Sequence, residues 1–116
     1  MSEGTPMDQA RDGQSPGLGP TFTFTAELWE YEGKGAWIFA SLPSKVADDI
    51  REITEGRRNG FGSVKVLAVV NATRWSTSVF PDGSRNTFLL PVKKAVRLAE
   101  GISEGDAVTF RLELVL

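Results

Sequence analysis

Apolar and polar side chains alternate from residue 21 to residue 28. The apolar positions are Phe22, Phe24, Ala26 and Leu28. A period of two is typical of a strand with one buried face, so these residues predict a half-buried first strand. Residues 30–35 contain two glycines and predict a hairpin loop. The apolar residues 36–40 then predict the returning second strand.

Further along the chain the same kind of pattern predicts four more strands. Residues 63–71 are almost entirely apolar and predict a third strand that is buried on both faces. Residues 74–80 alternate again and predict a fourth strand, which ends in a turn at residues 81–84, where the sequence is PDGS. Residues 86–90 predict its partner strand, and residues 107–116 predict the last strand.

A short passage occurs twice in the chain, at an offset of 48 residues. Residues 42–47 have the sequence LPSKVA, and residues 90–95 have the sequence LPVKKA. Proline disfavours helical geometry at the residue before it but suits the first turn of a helix. Each copy therefore predicts a strand that passes through Leu-Pro into a helix.

The residues within and after each copy have helical spacing. In the first copy the apolar positions are Val46, Ala47, Ile50 and Ile53, with Gly56 as a stop. In the second copy they are Ala95, Val96, Leu98 and Ala99, with Gly101 as a cap. These spacings predict two short helices.

The predicted order of elements is β-β-α-β-β-β-α-β. Short strands joined by hairpin turns favour a barrel over a layered α/β fold. The repeated passage suggests two similar halves, so we predict a mainly β fold with two short helices: a six-stranded, double-split, pseudo-duplicated β-barrel. Residues 21–116 would form this single domain. Residues 1–20 are rich in glycine and proline and predict a disordered N-terminal tail.

Two resemblances support this fold. Residues 90–97 and 101–108 resemble the strand–helix–turn–strand unit of AbrB-like transition-state regulators and MazE-like antitoxins, which build a double-split barrel from two chains. From Phe22 to about Leu114 the chain resembles a bacterial family of small barrels, domain of unknown function 1905. Its anchor points are FTAELW at 24–29, the Trp37 strand, Leu42-Pro43, RWSTS at 74–78, Gly83, LPVKKAVR at 90–97 and Gly105-Asp106. That resemblance implies a double-split barrel and no established activity.

Composition narrows the chemistry. The 116 residues include no cysteine and no histidine, which excludes disulfides, thiolate nucleophiles, Cys/His zinc sites and histidine-dependent triads. We therefore expect no cofactor, no metal and no catalytic residue. The longest apolar runs have five residues, whereas a membrane-spanning helix needs about 20, so we expect no membrane partner. The lack of cysteine favours a cytoplasmic location.

Positive charge is concentrated in one part of the sequence. The net charge is −2, but residues 57–97 contain eight basic residues and a single acidic residue, Asp82. These cations either form one basic surface or are scattered around the barrel and solvated. We favour scattering, because neighbours in sequence need not share a surface patch.

The central hairpin contains the best candidate site. Arg74, Ser76 and Ser78 share one face of the predicted fourth strand because side chains alternate along a strand. If Arg85 or Asn86 lies opposite them, the group forms a polar strip that could bind an anion, since the guanidinium fork suits carboxylate or phosphate. The alternative is an outward sheet face in water. Neither serine has an evident base, so nucleophilic catalysis is not predicted.

Three tryptophans, Trp29, Trp37 and Trp75, fall in predicted strands. In a small barrel such residues are most often part of the core or plug a barrel end. Aromatic side chains near basic residues can instead stack nucleobases. We favour the core interpretation.

The sequence therefore predicts a non-enzymatic binding or interaction module with an unknown ligand, for which an anion at the central hairpin is the candidate. Its partner would be a small molecule or a protein, with nucleic acid less favoured, and the chain would be a monomer or a weak homodimer. One alternative is an AbrB-like DNA-binding regulator, although such modules are usually basic overall and this chain has a pI near 5.1. Another is a small enzyme acting through arginine and carboxylates.

Overall fold

The computed structural model describes residues 19–32, 37–58 and 62–116, which form a mainly β fold with two helices. The elements are β1 (Thr21–Glu30), β2 (Ile38–Ser41), α1 (Ser44–Ile53), β3 (Val64–Val70), β4 (Thr73–Asp82), β5 (Thr87–Pro91), α2 (Lys94–Glu100) and β6 (Ala107–Leu114). Their order confirms the prediction. Among the described residues, neither helix has the length and apolar character needed to cross a bilayer.

The six strands close into an antiparallel barrel in the order β1-β2-β5-β4-β3-β6. If β1, β2 and β3 are exchanged with β4, β5 and β6 respectively, the same pairs of strands remain neighbours. Ser41 and Leu89, which are equivalent at the 48-residue offset, pair directly across β2 and β5. The topology therefore has the twofold pseudosymmetry that the repeated Leu-Pro passage predicts.

Side chains fill the interior of the barrel. Phe24 of β1 and Phe110 of β6 are register partners, and their ring centroids are 5.7 Å apart. Residues 64, 66, 68 and 70 of β3 point inward and are buried, whereas Lys65 is exposed and Leu67 is half-buried. The prediction that this strand is buried on both faces was wrong, because the barrel covers one face only.

The two helices pack unequally. Ala47 and Ile50 bury the inner face of α1, and Arg51 fixes that helix to the β4–β5 hairpin by donating to the Asn86 carbonyl at 2.7 Å. In α2 only Val96 is buried, and Leu98 is 72% exposed. The apolar face predicted for the second helix therefore faces solvent over most of its length.

The predicted cap of the second helix is present, and a turn leads from it to β6. Gly101 has a φ of 64° and ends α2 in the left-handed region. The Asp106 carboxylate accepts a hydrogen bond from the Ser103 backbone N–H at 2.8 Å. Glycine suits the left-handed conformation at the first position, and the short Asp106 side chain can accept from a nearby backbone N–H at the second.

The predicted N-terminal tail lies outside the described residues except for Gly19 and Pro20. The Leu114 N–H donates to the Pro20 carbonyl at 3.0 Å. The residue before β1 is therefore hydrogen-bonded to the end of β6. A Cβ atom on Gly19 would lie 2.1 Å from the Leu114 carbonyl oxygen. Only glycine allows this approach.

Candidate functional site

The structure places the four predicted site residues in two separate regions. Arg74, Ser76 and Ser78 share the outer face of β4, as predicted. Arg85 lies in the loop that follows this strand, and Asn86 is beside it. Arg74 is at the other end of β4, about 26 Å from that loop at 3.3 Å per residue. The polar strip that would join Arg74 to Arg85 therefore does not form.

Arg85 is held by two neighbours. Its guanidinium donates to the Asp82 carboxylate at 2.5 Å and lies 4.2 Å from the centroid of the Trp29 ring. The hydrogen bond from Arg85, followed by that from Ser84, lowers the pKa of the Asp82 carboxyl. The arginine thus links the tip of the β4–β5 hairpin to the aromatic side chains of β1.

Ser76 and Ser78 line an open groove of about 530 Å³ with Lys65, Phe80 and Val115. Ser78 is the register partner of Lys65 across β3 and β4, so the fold supplies the lysine neighbour that the sequence pattern lacks. A lysine that acts as a base is normally desolvated, whereas Lys65 is exposed. The groove therefore offers a polar surface with one cation. It does not provide the desolvated lysine that would activate a serine nucleophile.

A cluster of exposed and half-buried rings lies on the outer side of β1 and β2. We call it the aromatic face: Trp29, Tyr31, Trp37 and Phe39. Trp37 stacks on Phe39 with centroids 6.1 Å apart and an interplanar angle of 9°. Phe39 also contacts Trp29 at 5.5 Å and Tyr31 at 6.1 Å, the latter edge-on. Trp37 is 56% exposed and Tyr31 is 47% exposed.

Strand register assembles the aromatic face. Trp29 and Phe39 are direct partners across β1 and β2, and the Tyr31 N–H donates to the Trp37 carbonyl at 2.8 Å. Directly opposite residues of an antiparallel pair point to the same side of a sheet. The Trp29 indole N–H also donates to the Ser41 hydroxyl at 2.9 Å, which fixes the orientation of that ring.

Three cations border the aromatic face, and we call them the basic edge: Lys93, Lys94 and Arg97. They line a groove of about 320 Å³ together with Trp37 and Pro91. This volume is within the range of small-ligand sites. The Arg97 Nε donates to the Val92 carbonyl at 3.0 Å, which holds its guanidinium beside the groove. Within the described part of the chain, neither lysine forms a salt bridge.

The basic residues of 57–97 do not form one patch around this site. Arg57 and Lys65 line another groove, of about 310 Å³, with Ser63. Arg85 is paired with Asp82. This separation agrees with the favoured interpretation that the cations are distributed around the barrel. The basic edge is one local group of three of them.

The carboxylate of Glu100 forms a structural contact. Glu100 of α2 accepts hydrogen bonds from the Thr73 hydroxyl and, at 2.8 Å, from the Asn71 amide. These bonds, the one from Thr73 first, lower the pKa of the Glu100 carboxyl. No group of three acidic side chains suited to a metal ion occurs among the described residues.

The core interpretation of the tryptophans was wrong for two of the three. Trp75 is buried in the barrel, but Trp29 and Trp37 are on the outside. One signal was present in the sequence: the large apolar residues change from even positions, ending at Leu28, to odd positions at Trp29 and Tyr31. A change of parity within a strand moves its apolar side chains to the opposite face.

Comparison with known families gives one match. The model of the family described as "Domain of unknown function (DUF1905)" matches residues 24–112. No curated protein matches the sequence significantly. The matched range includes the aromatic face and the basic edge.

Proposed function

We propose that this chain, which belongs to the DUF1905 family of domains of unknown function, is a non-enzymatic binding module for a planar, anionic ligand. The observation that carries the proposal is the position of Trp37, which is 56% exposed and shares a groove with Lys93, Lys94 and Arg97. The ring would stack on a planar group while the cations pair with its charge. We also propose that the protein is cytoplasmic, a location that its lack of cysteine favours.

The exposed rings favour binding because they are contiguous. A single exposed apolar side chain is normal on a protein surface, but a joined patch with a polar rim is typical of an interaction site. On the aromatic face four rings contact one another. Arg85 adjoins one end of the patch, and the basic edge adjoins the other.

Several features favour binding over catalysis. The barrel interior is filled by apolar side chains, and a general acid at neutral pH needs a carboxyl whose pKa is raised. Among the described residues, the shifted pKa values of Asp82 and Glu100 are lowered. We therefore prefer the binding module to the small enzyme. The separation of the cations into different grooves also disfavours a duplex-binding regulator of the AbrB-like kind.

The test compares three ligands that divide the proposed interaction into parts. Adenosine 5′-monophosphate has both a ring and a phosphate, adenosine has the ring alone, and ribose 5-phosphate has the phosphate alone. In calorimetric titrations we expect the nucleotide to bind at least about tenfold more tightly than either fragment, because one stacked base contributes roughly 1–3 kcal/mol.

Trp37→Ala should weaken nucleotide binding by about tenfold, since it removes the stacking surface. Leu98→Ala is the matched control, because it truncates another exposed apolar side chain (72% exposed) that does not line the groove of Trp37 and the basic edge. It should leave affinity unchanged. Equal binding of the nucleotide and ribose 5-phosphate, or binding that is indifferent to Trp37→Ala, would contradict the proposal.

A further inference from the structure

We infer that the ligand of the aromatic face is single-stranded nucleic acid, with bases stacked on Trp37 and Tyr31 and phosphates paired with the basic edge. The inference rests on the proposed function and names its ligand class. It follows from two properties of the surface: the succession of rings and the position of the cations.

The rings form a row rather than a single platform. Trp37, Phe39 and Trp29 follow one another with centroid separations of 6.1 and 5.5 Å, and Tyr31 packs edge-on against Phe39. A mononucleotide would use one ring of this row. Exposed aromatics on a sheet can stack about two or three successive bases of one strand.

Cations lie at both ends of the row. The basic edge is beside Trp37, and the Arg85 guanidinium covers Trp29 at 4.2 Å. A guanidinium plane is itself a surface on which a base can stack. Since Asp82 already neutralises Arg85, the phosphate contacts should come from the three cations of the basic edge. Lys93 and Lys94 form no salt bridge within the described residues. Charge spaced along a row of rings matches a strand of nucleotides.

The same surface does not suit a duplex. In double-stranded DNA the bases are stacked on one another, so their faces cannot reach exposed rings. Duplex binding without base contact depends on many phosphate contacts, but the basic edge provides three cations. An unpaired strand can use the rings and the cations together.

The test is fluorescence anisotropy of a labelled 12-nucleotide strand, as oligo-dT and as oligo-dA, titrated with the full chain. The comparison ligands are the duplex of these strands and an abasic strand of equal length. We expect both single strands to bind at least about tenfold more tightly than the duplex and the abasic strand, because only they offer free bases. Three phosphate contacts predict a slope of log affinity on log salt of about −2.

Matched variants separate the two parts of the surface. Trp37→Ala should weaken both strands about tenfold and leave the salt slope unchanged, since the charges remain. Lys93→Gln with Lys94→Gln should make the slope shallower by about 1.4, because two phosphate contacts are lost. Lys65→Gln, which removes an exposed cation from another groove, and Leu98→Ala should change neither quantity.

Two results would overturn the inference. The first is equal binding of the abasic strand or the duplex, which would mean that the bases are not read by the rings. The second is a 12-nucleotide strand that binds no more tightly than adenosine 5′-monophosphate. In that case the proposed function would be supported, and single-stranded nucleic acid would be excluded as the ligand. If neither adenosine 5′-monophosphate nor the strand bound, both proposals would be contradicted.

Discussion

Glu100 is the residue that ties the second helix to the barrel. Its two carboxylate oxygens accept hydrogen bonds from Asn71 and Thr73, which flank the β3–β4 turn. Asn71 itself has a φ of 52°, a left-handed conformation that asparagine tolerates better than most residues. The Glu100 side chain therefore joins this turn to the helix that carries Lys94 and Arg97.

Replacing Glu100 with Gln should destabilise the protein at neutral pH. It should also make the loss of stability between pH 7 and pH 3 smaller. The folded-state pKa of this carboxyl is lowered, so its stabilisation is present above the unfolded value, about 4.3, and is lost as pH falls through the folded value. Thermal melts from pH 7 to pH 3 should show a smaller decline for Glu100→Gln than for the wild type. Asp82, whose carboxyl pKa is also lowered, should contribute a pH dependence of the same sign.

Glu104→Gln is the control for this experiment, because Glu104 is an exposed side chain in the loop before β6. It should leave the melting curve and its pH dependence as they are in the wild type. Identical pH profiles for Glu100→Gln and the wild type would contradict the role given to the Glu100 carboxylate.

At the scale of elements, the second helix is short and carries its apolar residues largely in solvent. Its seven residues bury Val96 alone, so its ends should contribute much of its stability. Gly101 closes it in the left-handed region with a φ of 64°. A Cβ atom there would meet nothing within 4 Å, so the cost of a larger residue comes from the backbone and not from crowding.

Gly101→Ala should therefore destabilise the fold by about 1 kcal/mol, the typical cost of left-handed geometry for an L-residue. This corresponds to a fall in melting temperature of about 4–8 °C for a domain of this size. Gly83→Ala is the matched control, since Gly83 has equally open space and no positive φ. Equal melting temperatures for the two variants would show that the conformation of Gly101 does not matter.

The elements that the sequence predicted best are those with an uninterrupted period or a proline signal. β1 alternates cleanly from Thr21 to Leu28, and both Leu-Pro passages lead into helices. Errors arose where context decides burial. The apolar run of β3 resembles a doubly buried strand, but no layer covers Lys65 and Leu67. Leu98 has helical spacing, yet it follows the buried Val96 by two residues, about 200° around the helix, and therefore points away from the barrel.

At the scale of the whole molecule, sequence differences between the two pseudosymmetric halves explain why the described residues form the candidate site in one half and not in the other. At the 48-residue offset Trp37 corresponds to Arg85, and Lys94 corresponds to Val46. The two halves share a fold but differ in the side chains that face outward. Sequence alone could not assemble the aromatic face, because it requires the register of β1 on β2 and the return of the chain, more than 50 residues later, at Lys93 and Arg97.

The measurement that tests the aromatic face most directly is the ¹H–¹⁵N spectrum of the three tryptophan indoles during titration with adenosine 5′-monophosphate. Trp29 and Trp37 are on the proposed surface, while Trp75 is buried and only 7% exposed, so it serves as an internal reference. We predict that the indole signal of Trp37 moves and that of Trp75 stays. Shifts confined to the backbone amides of Ser76 and Ser78, with Trp37 unmoved, would contradict the account.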